Sequence, residues 1–147
     1  MTIRITKEFN FDMAHALDYH EGKCKNIHGH SYQLLVTIKG KPIDELEVSN
    51  SGMIMDFGDL KKLVKTNIVD LYDHALVLDK KSTFLDNDNI LKGTKLIRVN
   101  YQPTSENLII EFVNIIKPLL PQGVSLSRLF LRETSSSYAE WLEEDNF

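Results

Sequence analysis

The stretch CKNIHGH, residues 24–30, sets the only cysteine of the chain four positions ahead of two histidines that alternate around Gly29. Side chains two apart on an extended chain project to one side, so His28 and His30 can offer ring nitrogens to one cation at about 2.0 to 2.1 Å. A third imidazole stands upstream, His15, at the end of FNFDMAH. One thiol and three imidazoles allow two kinds of chemistry. If Cys24 joins the histidines, four donors close a structural zinc site with no open position. If it stays apart, a three-histidine ion keeps a position for substrate, and the neighbouring thiol can act as a base or nucleophile. Lys23 and Lys25 flank Cys24. Their charges favour the reactive thiolate, although ordinary loop lysines would simply face water. Spacing leaves both arrangements open.

Two further groups could do chemistry. In Asp73-His74 a carboxylate stands beside an imidazole and can orient it as a proton carrier. Glu133 ends an apolar run in the tripeptide RET, where a partly buried carboxylate could grip a pair of donors such as an amino-pyrimidine edge. Both features have plainer readings, since adjacent Asp and His arise by chance and carboxylates at a sheet edge usually face water. His20, in a charged loop, reads as a surface residue.

These groups need elements to position them. Ile3, Ile5, Phe9, Phe11 and Met13 alternate along the opening segment on the face that also carries His15. Tyr32, Leu34, Val36 and Ile38 alternate on the face of His28 and His30. Period-two spacing predicts two strands, and about a dozen intervening residues make them antiparallel neighbours. The three imidazoles then gather at one end of a hairpin. The segment GKPIDELEVSNSG reads as a long turn. Leu60, Leu63, Val64, Ile68 and Leu71 recur at helical spacing behind a capping Asp56. After a polar connection, KLIRVNY is short and strand-like. PTSEN opens a second helix with Thr104 as cap and the apolar stripe Leu108, Phe112, Ile115 and Ile116, ending at Pro118. VSLSRLFLRET and SYAEW form a last β pair. The order is ββααββ with one possible small strand between the helices. It predicts an α+β fold, a four-stranded antiparallel sheet with two helices on one face.

A chain of 147 residues with 42% hydrophobic content suits one domain spanning residues 1–147. A net charge of -4 argues against nucleic acid as a partner, because polyanion binders carry a basic surplus. The lone cysteine excludes an internal disulfide and suits a reducing compartment. The start MTIRITKEFNF lacks a signal-peptide arrangement, and the apolar run LIIEFVNIIKPLLP is interrupted by Glu111, Asn114, Lys117 and Pro118. We expect a cytoplasmic protein with no membrane partner.

Taken in order, FNFDMAH, CKNIHGH with Tyr32, GMIMDFGDLK, YDHALVLD, PTSEN and RET resemble the 6-pyruvoyl-tetrahydropterin and 6-carboxy-tetrahydropterin synthase family over nearly the whole chain. Two positions depart from its usual pattern, Tyr72 before Asp-His and Asp79 after it. The resemblance implies the tunnelling fold, in which three subunits close a β-barrel, two trimers stack, and sites form between subunits. The chain would then be a homo-oligomer, a trimer or a dimer of trimers. It implies that His15, His28 and His30 hold zinc, and that Cys24 is a catalytic thiol outside the ligand set. It further implies that Asp73 and His74 reach the site from a neighbouring subunit, and that Glu133 anchors the pterin ring of a small-molecule substrate, 7,8-dihydroneopterin triphosphate. Lys23 and Lys25 are candidate phosphate contacts. Three residues separate Cys24 from His28, as in relatives that form 6-carboxy-5,6,7,8-tetrahydropterin for queuosine and other 7-deazaguanine synthesis with release of acetaldehyde and triphosphate. The alternatives are the pyruvoyl-forming reaction and a non-catalytic module with a structural zinc on one cysteine and three histidines.

Overall fold

The computed structural model describes residues 1–147. Two long strands, β1 (Ile3–His15) and β2 (His28–Gly40), pair antiparallel without a break from Ile3 opposite Gly40 to His15 opposite His28. The alternation decides which face is covered. Phe9, Phe11 and Met13 are buried with Tyr32, Leu34, Val36 and Ile38, while Arg4, Thr6, Glu8, Asn10 and Asp12 lie exposed on the other face.

After the long loop, α1 (Phe57–Val64) starts at Asp56, whose carboxylate accepts from the Gly58 N–H at 2.6 Å. The helix then widens into a π-type turn over Lys65–Val69 and finishes in α2 (Asp70–Tyr72). This widening corrects one expectation. Leu71 is 52% exposed, and Tyr72, at 5%, takes the inward position. More residues per turn than 3.6 delay the phase by one residue, so Leu60, Val64, Ile68 and Tyr72 all face the core.

The sheet is also wider than expected. β3 (Ala75–Asp79) runs parallel to β1, with Met13 opposite Ala75. Residues 80–95, including the short α3 (Asp88–Leu91), cross over to β4 (Leu96–Val99), which pairs parallel to β3. All five residues of β3 are buried. Ala75 and Val77 enter the main core, whereas Leu76 and Leu78 pack with Ala16 against Phe84, Leu85 and Ile90 of the crossover. A strand covered on both faces reads as a continuous apolar run, without the alternation that marks a half-buried one. The segment 80–101, to which the sequence assigned no role beyond a short strand, supplies this second cover and the edge.

α4 (Ser105–Ile116) follows, its first turn capped by the Thr104 hydroxyl accepting from the Asn107 N–H at 3.2 Å. β5 (Val124–Thr134) and β6 (Ser137–Leu142) complete the strand order β4-β3-β1-β2-β5-β6. The four expected antiparallel strands are therefore present as β1, β2, β5 and β6, and two short parallel strands extend them into a mixed sheet. Phe112 of α4 packs edge-on to Phe11 and Tyr72 with ring centroids 6.4 and 5.0 Å away, joining both helices to the sheet. No helix is long and apolar enough to cross a membrane.

The delayed helical phase is testable by denaturant unfolding. Ile68→Ala is expected to cost about 2 to 5 kcal/mol, as for other large buried aliphatics, and Leu71→Ala to stay within about 0.5 kcal/mol; equal losses would refute the widened turn.

Candidate active site

The register of β1 and β2 sets His15 directly opposite His28, and His30 opposite Met13 on the same face. The three rings stand 4.6, 4.9 and 5.2 Å apart between centroids, and one ring nitrogen from each falls within 4.8 Å of the others. Gly29 between the histidines lies against β1. A Cβ there would meet the Met13 carbonyl oxygen at 3.3 Å, a tight contact.

The tautomers of two rings follow from their partners. His15 Nδ1 lies 2.7 Å from the Pro103 carbonyl oxygen, and His28 Nδ1 lies 2.7 Å from that of Asn26. A carbonyl only accepts, so both Nδ1 atoms carry hydrogen, and in the neutral rings both Nε2 atoms present lone pairs. Those Nε2 atoms face each other at 3.1 Å. Two acceptors at that distance repel unless a cation lies between them. Nitrogens bound tetrahedrally to one zinc ion would stand roughly 3.4 Å apart. His30 Nε2 is buried with no hydrogen-bond partner, 3.6 Å from a Glu133 carboxylate oxygen. Burial holds His15 below the usual imidazole range against the opposing pull of the Pro103 carbonyl. His30 is lowered chiefly by burial too, with Glu133 opposing. Neutral imidazoles with Nδ1–H groups fixed by main-chain carbonyls are what a metal site requires. The residues present therefore fit a divalent ion such as zinc.

The Cys24 thiol does not join the three imidazoles. Cys24 occupies a short helical turn, Lys23–Lys25, half-buried between two exposed lysines. The loop is tied down by the Leu17 N–H donating to the Cys24 carbonyl at 2.9 Å, and by Asp18, which accepts from the N–H and hydroxyl of Thr83 at 2.9 and 3.0 Å. Burial first, then Glu133, then Cys24 push the Tyr32 hydroxyl well up, and the Tyr32 ring lies 5.6 Å from that of His30. Exposed His20 Nδ1 accepts from the Gly22 N–H at 2.8 Å and stays in the loop, as expected.

Glu133 links the histidines to a cavity of about 270 Å³ lined by Leu17, Thr104, Ser105, Glu106, Glu133 and Tyr138. One carboxylate oxygen accepts from the Ser105 hydroxyl at 2.6 Å, while the other faces His30. Ser105 was legible in PTSEN, although helix-start chemistry masked its contact with a residue 28 positions away.

Asp73 and His74 form a pair, His74 Nδ1 to Asp73 carboxylate 3.0 Å. Asp73 also accepts from the Asp12 N–H at 2.9 Å, the main reason its carboxyl is held below the usual range. Both side chains cluster with the Asp12 carboxylate, which bonds the Ser31 hydroxyl at 2.6 Å. Asp12 and Ser31 alternate with Met13 and His30, so this cluster lies on the sheet face opposite the three histidines. Within one chain the pair and the imidazole trio form separate clusters, although His30 and His74 both line an open cavity of about 480 Å³ at the sheet end.

A mixed sheet with two helices on one face carries at its end three convergent imidazoles that could hold a metal ion. The family model of 6-pyruvoyl tetrahydropterin synthase matches residues 4–144, and the chain belongs to that family. It is 38% identical to the 6-carboxy-5,6,7,8-tetrahydropterin synthase of Haemophilus influenzae over 95% of this chain and 99% of that protein. It is 35% identical to the protein of the same name from Rickettsia typhi over 94% of this chain and 99% of the relative. The solved structure of Caenorhabditis elegans 6-pyruvoyl tetrahydropterin synthase aligns with a TM-score of 0.69 at 24% identity, covering 97% of this chain and 96% of that one. That likeness bears on the fold alone, and it agrees with the expected tunnelling fold.

Metal analysis after dialysis against zinc separates the two roles of the donors. His28→Ala is expected to lose stoichiometric zinc, whereas Cys24→Ala retains it; zinc loss from Cys24→Ala would return the thiol to the ligand set.

Proposed function

We propose that this chain is a zinc-dependent lyase of the 6-carboxy-5,6,7,8-tetrahydropterin synthase type, converting 7,8-dihydroneopterin triphosphate to 6-carboxy-5,6,7,8-tetrahydropterin with release of acetaldehyde and triphosphate. The observation that carries the reading is the pair of facing Nε2 lone pairs on His15 and His28, completed by the unpartnered His30 nitrogen, in a chain with full-length relatives of that name.

His15, His28 and His30 would hold the zinc. When bound, the ion supplies Lewis-acid polarisation of the substrate's side-chain hydroxyls. Glu133, one oxygen held by Ser105, grips the donor edge of the pterin ring at the adjoining cavity. Cys24 takes up a proton beside the metal as general base. Asp73 orients His74, whose imidazole passes protons to and from the substrate side chain. Exposed Lys23 and Lys25 meet the triphosphate.

The opposite placement of the two groups on the sheet supports an assembly in which Asp73 and His74 of one copy serve the histidines of another. β4 and β6 each pair on one side only, consistent with sheets that continue between copies in a trimer or dimer of trimers. One continuous sheet supports reading residues 1–147 as one domain. The lone cysteine and the charge of -4 support a cytoplasmic enzyme that takes no nucleic acid.

The test is product analysis of zinc-loaded protein with dihydroneopterin triphosphate. Acetaldehyde is expected, and a pyruvoyl product without acetaldehyde would replace this reading with the pyruvoyl-forming one. Cys24→Ala and His74→Ala are each expected to fold, keep zinc and lose about 100-fold or more in turnover, the scale of general acid–base catalysis; wild-type turnover would remove the altered residue from the mechanism.

A further inference from the structure

The turn that presents His74 is held from a distance. α2 ends at Tyr72, so the carbonyls of its last turn lack partners within the helix. His74 then adopts φ +60, a left-handed conformation that a residue with a side chain keeps only when its surroundings enforce it. Three main-chain contacts contribute. The Asp73 N–H donates to the Val69 carbonyl at 2.8 Å, the His74 N–H to the Asp12 carbonyl at 2.6 Å, and the Leu76 N–H to the Lys95 carbonyl at 2.8 Å.

Lys95 adds a second grip. Its Nζ donates to the Asp70 carbonyl at 2.7 Å and to the Asp73 carbonyl at 2.8 Å, and it forms no ion pair with any carboxylate. A cation over the last carbonyls of a helix is favoured by the helix dipole. Here it does more, because the Asp73 carbonyl is fixed in the same residue whose carboxylate meets His74 Nδ1 and the Asp12 N–H. With that carbonyl and the Leu76 N–H both bound to Lys95, the main chain is pinned on either side of His74.

We propose that Lys95 is a positioning residue for the Asp73-His74 pair, acting by clamping the turn from which both side chains project. This rests on the proton-transfer role given to that pair above. The ammonium touches main-chain oxygen rather than the imidazole, so its effect passes through the placement of His74 and not through contact with substrate.

A double-mutant cycle with dihydroneopterin triphosphate tests it. Lys95→Met, which keeps the aliphatic stem and removes the donors, is expected to lower kcat roughly ten-fold, the scale of a small misplacement of a catalytic group, with KM within about two-fold. Lys95→Arg is expected to recover most of that loss. Lys95→Met combined with His74→Ala is expected to be no slower than His74→Ala alone. If Lys95→Met does not fold, Lys95→Leu, which likewise has no donor, carries the same expectations. Wild-type kcat in Lys95→Met beside an impaired His74→Ala would overturn the positioning role while leaving the proton-transfer reading intact. Multiplying losses in the double variant would likewise overturn it, since Lys95 would then act independently of His74. An unimpaired His74→Ala would remove the proton-transfer reading itself.

Discussion

The unbroken register between β1 and β2 is the constraint on which the site depends. A slip of one residue would send every side chain of the slipped strand to the opposite face, moving Phe9, Phe11 and Met13 into water and separating His15 from His28. Burial of those large apolar residues against Tyr32, Leu34 and Val36 therefore selects the convergence of the imidazoles as well as the core. The tight approach of Gly29 to the Met13 carbonyl belongs to the same constraint, because a side chain there would require a small shift of β1 where the imidazoles converge.

Register brings the rings together, and loops set the nitrogens they present. The carbonyl of Pro103, immediately before α4, fixes the His15 tautomer. The next residue caps the helix, and the one after it orients Glu133. Three consecutive residues thus couple the start of a helix to the imidazole cluster and to the cavity beside it. The cost of burying His15 is moderated because its Nδ1–H has a partner and the ring is neutral.

Much of this was legible in the chain. The alternating strands named the face carrying His15, His28 and His30, and the cap signals at Asp56 and Thr104 located both helix starts. The rest depended on tertiary context. β3 has no period-two signature because the crossover covers its second face, and Leu71 obeyed a regular helical period that the widened turn does not keep. Ser105 looked like a helix-start residue until β5 brought Glu133 to it. Separation of Asp73 and His74 from the histidines follows from the parallel pairing of β1 with β3, a long-range contact that no local pattern announces.

That arrangement gives each copy, under the proposed function, two complementary half-sites on opposite faces of one sheet. Under the proposed function a solitary protomer could load its cation and still be inert, so the working unit is created by encounter. Dilution would switch the chemistry off without unfolding anything, and turnover would follow the law of mass action for subunits.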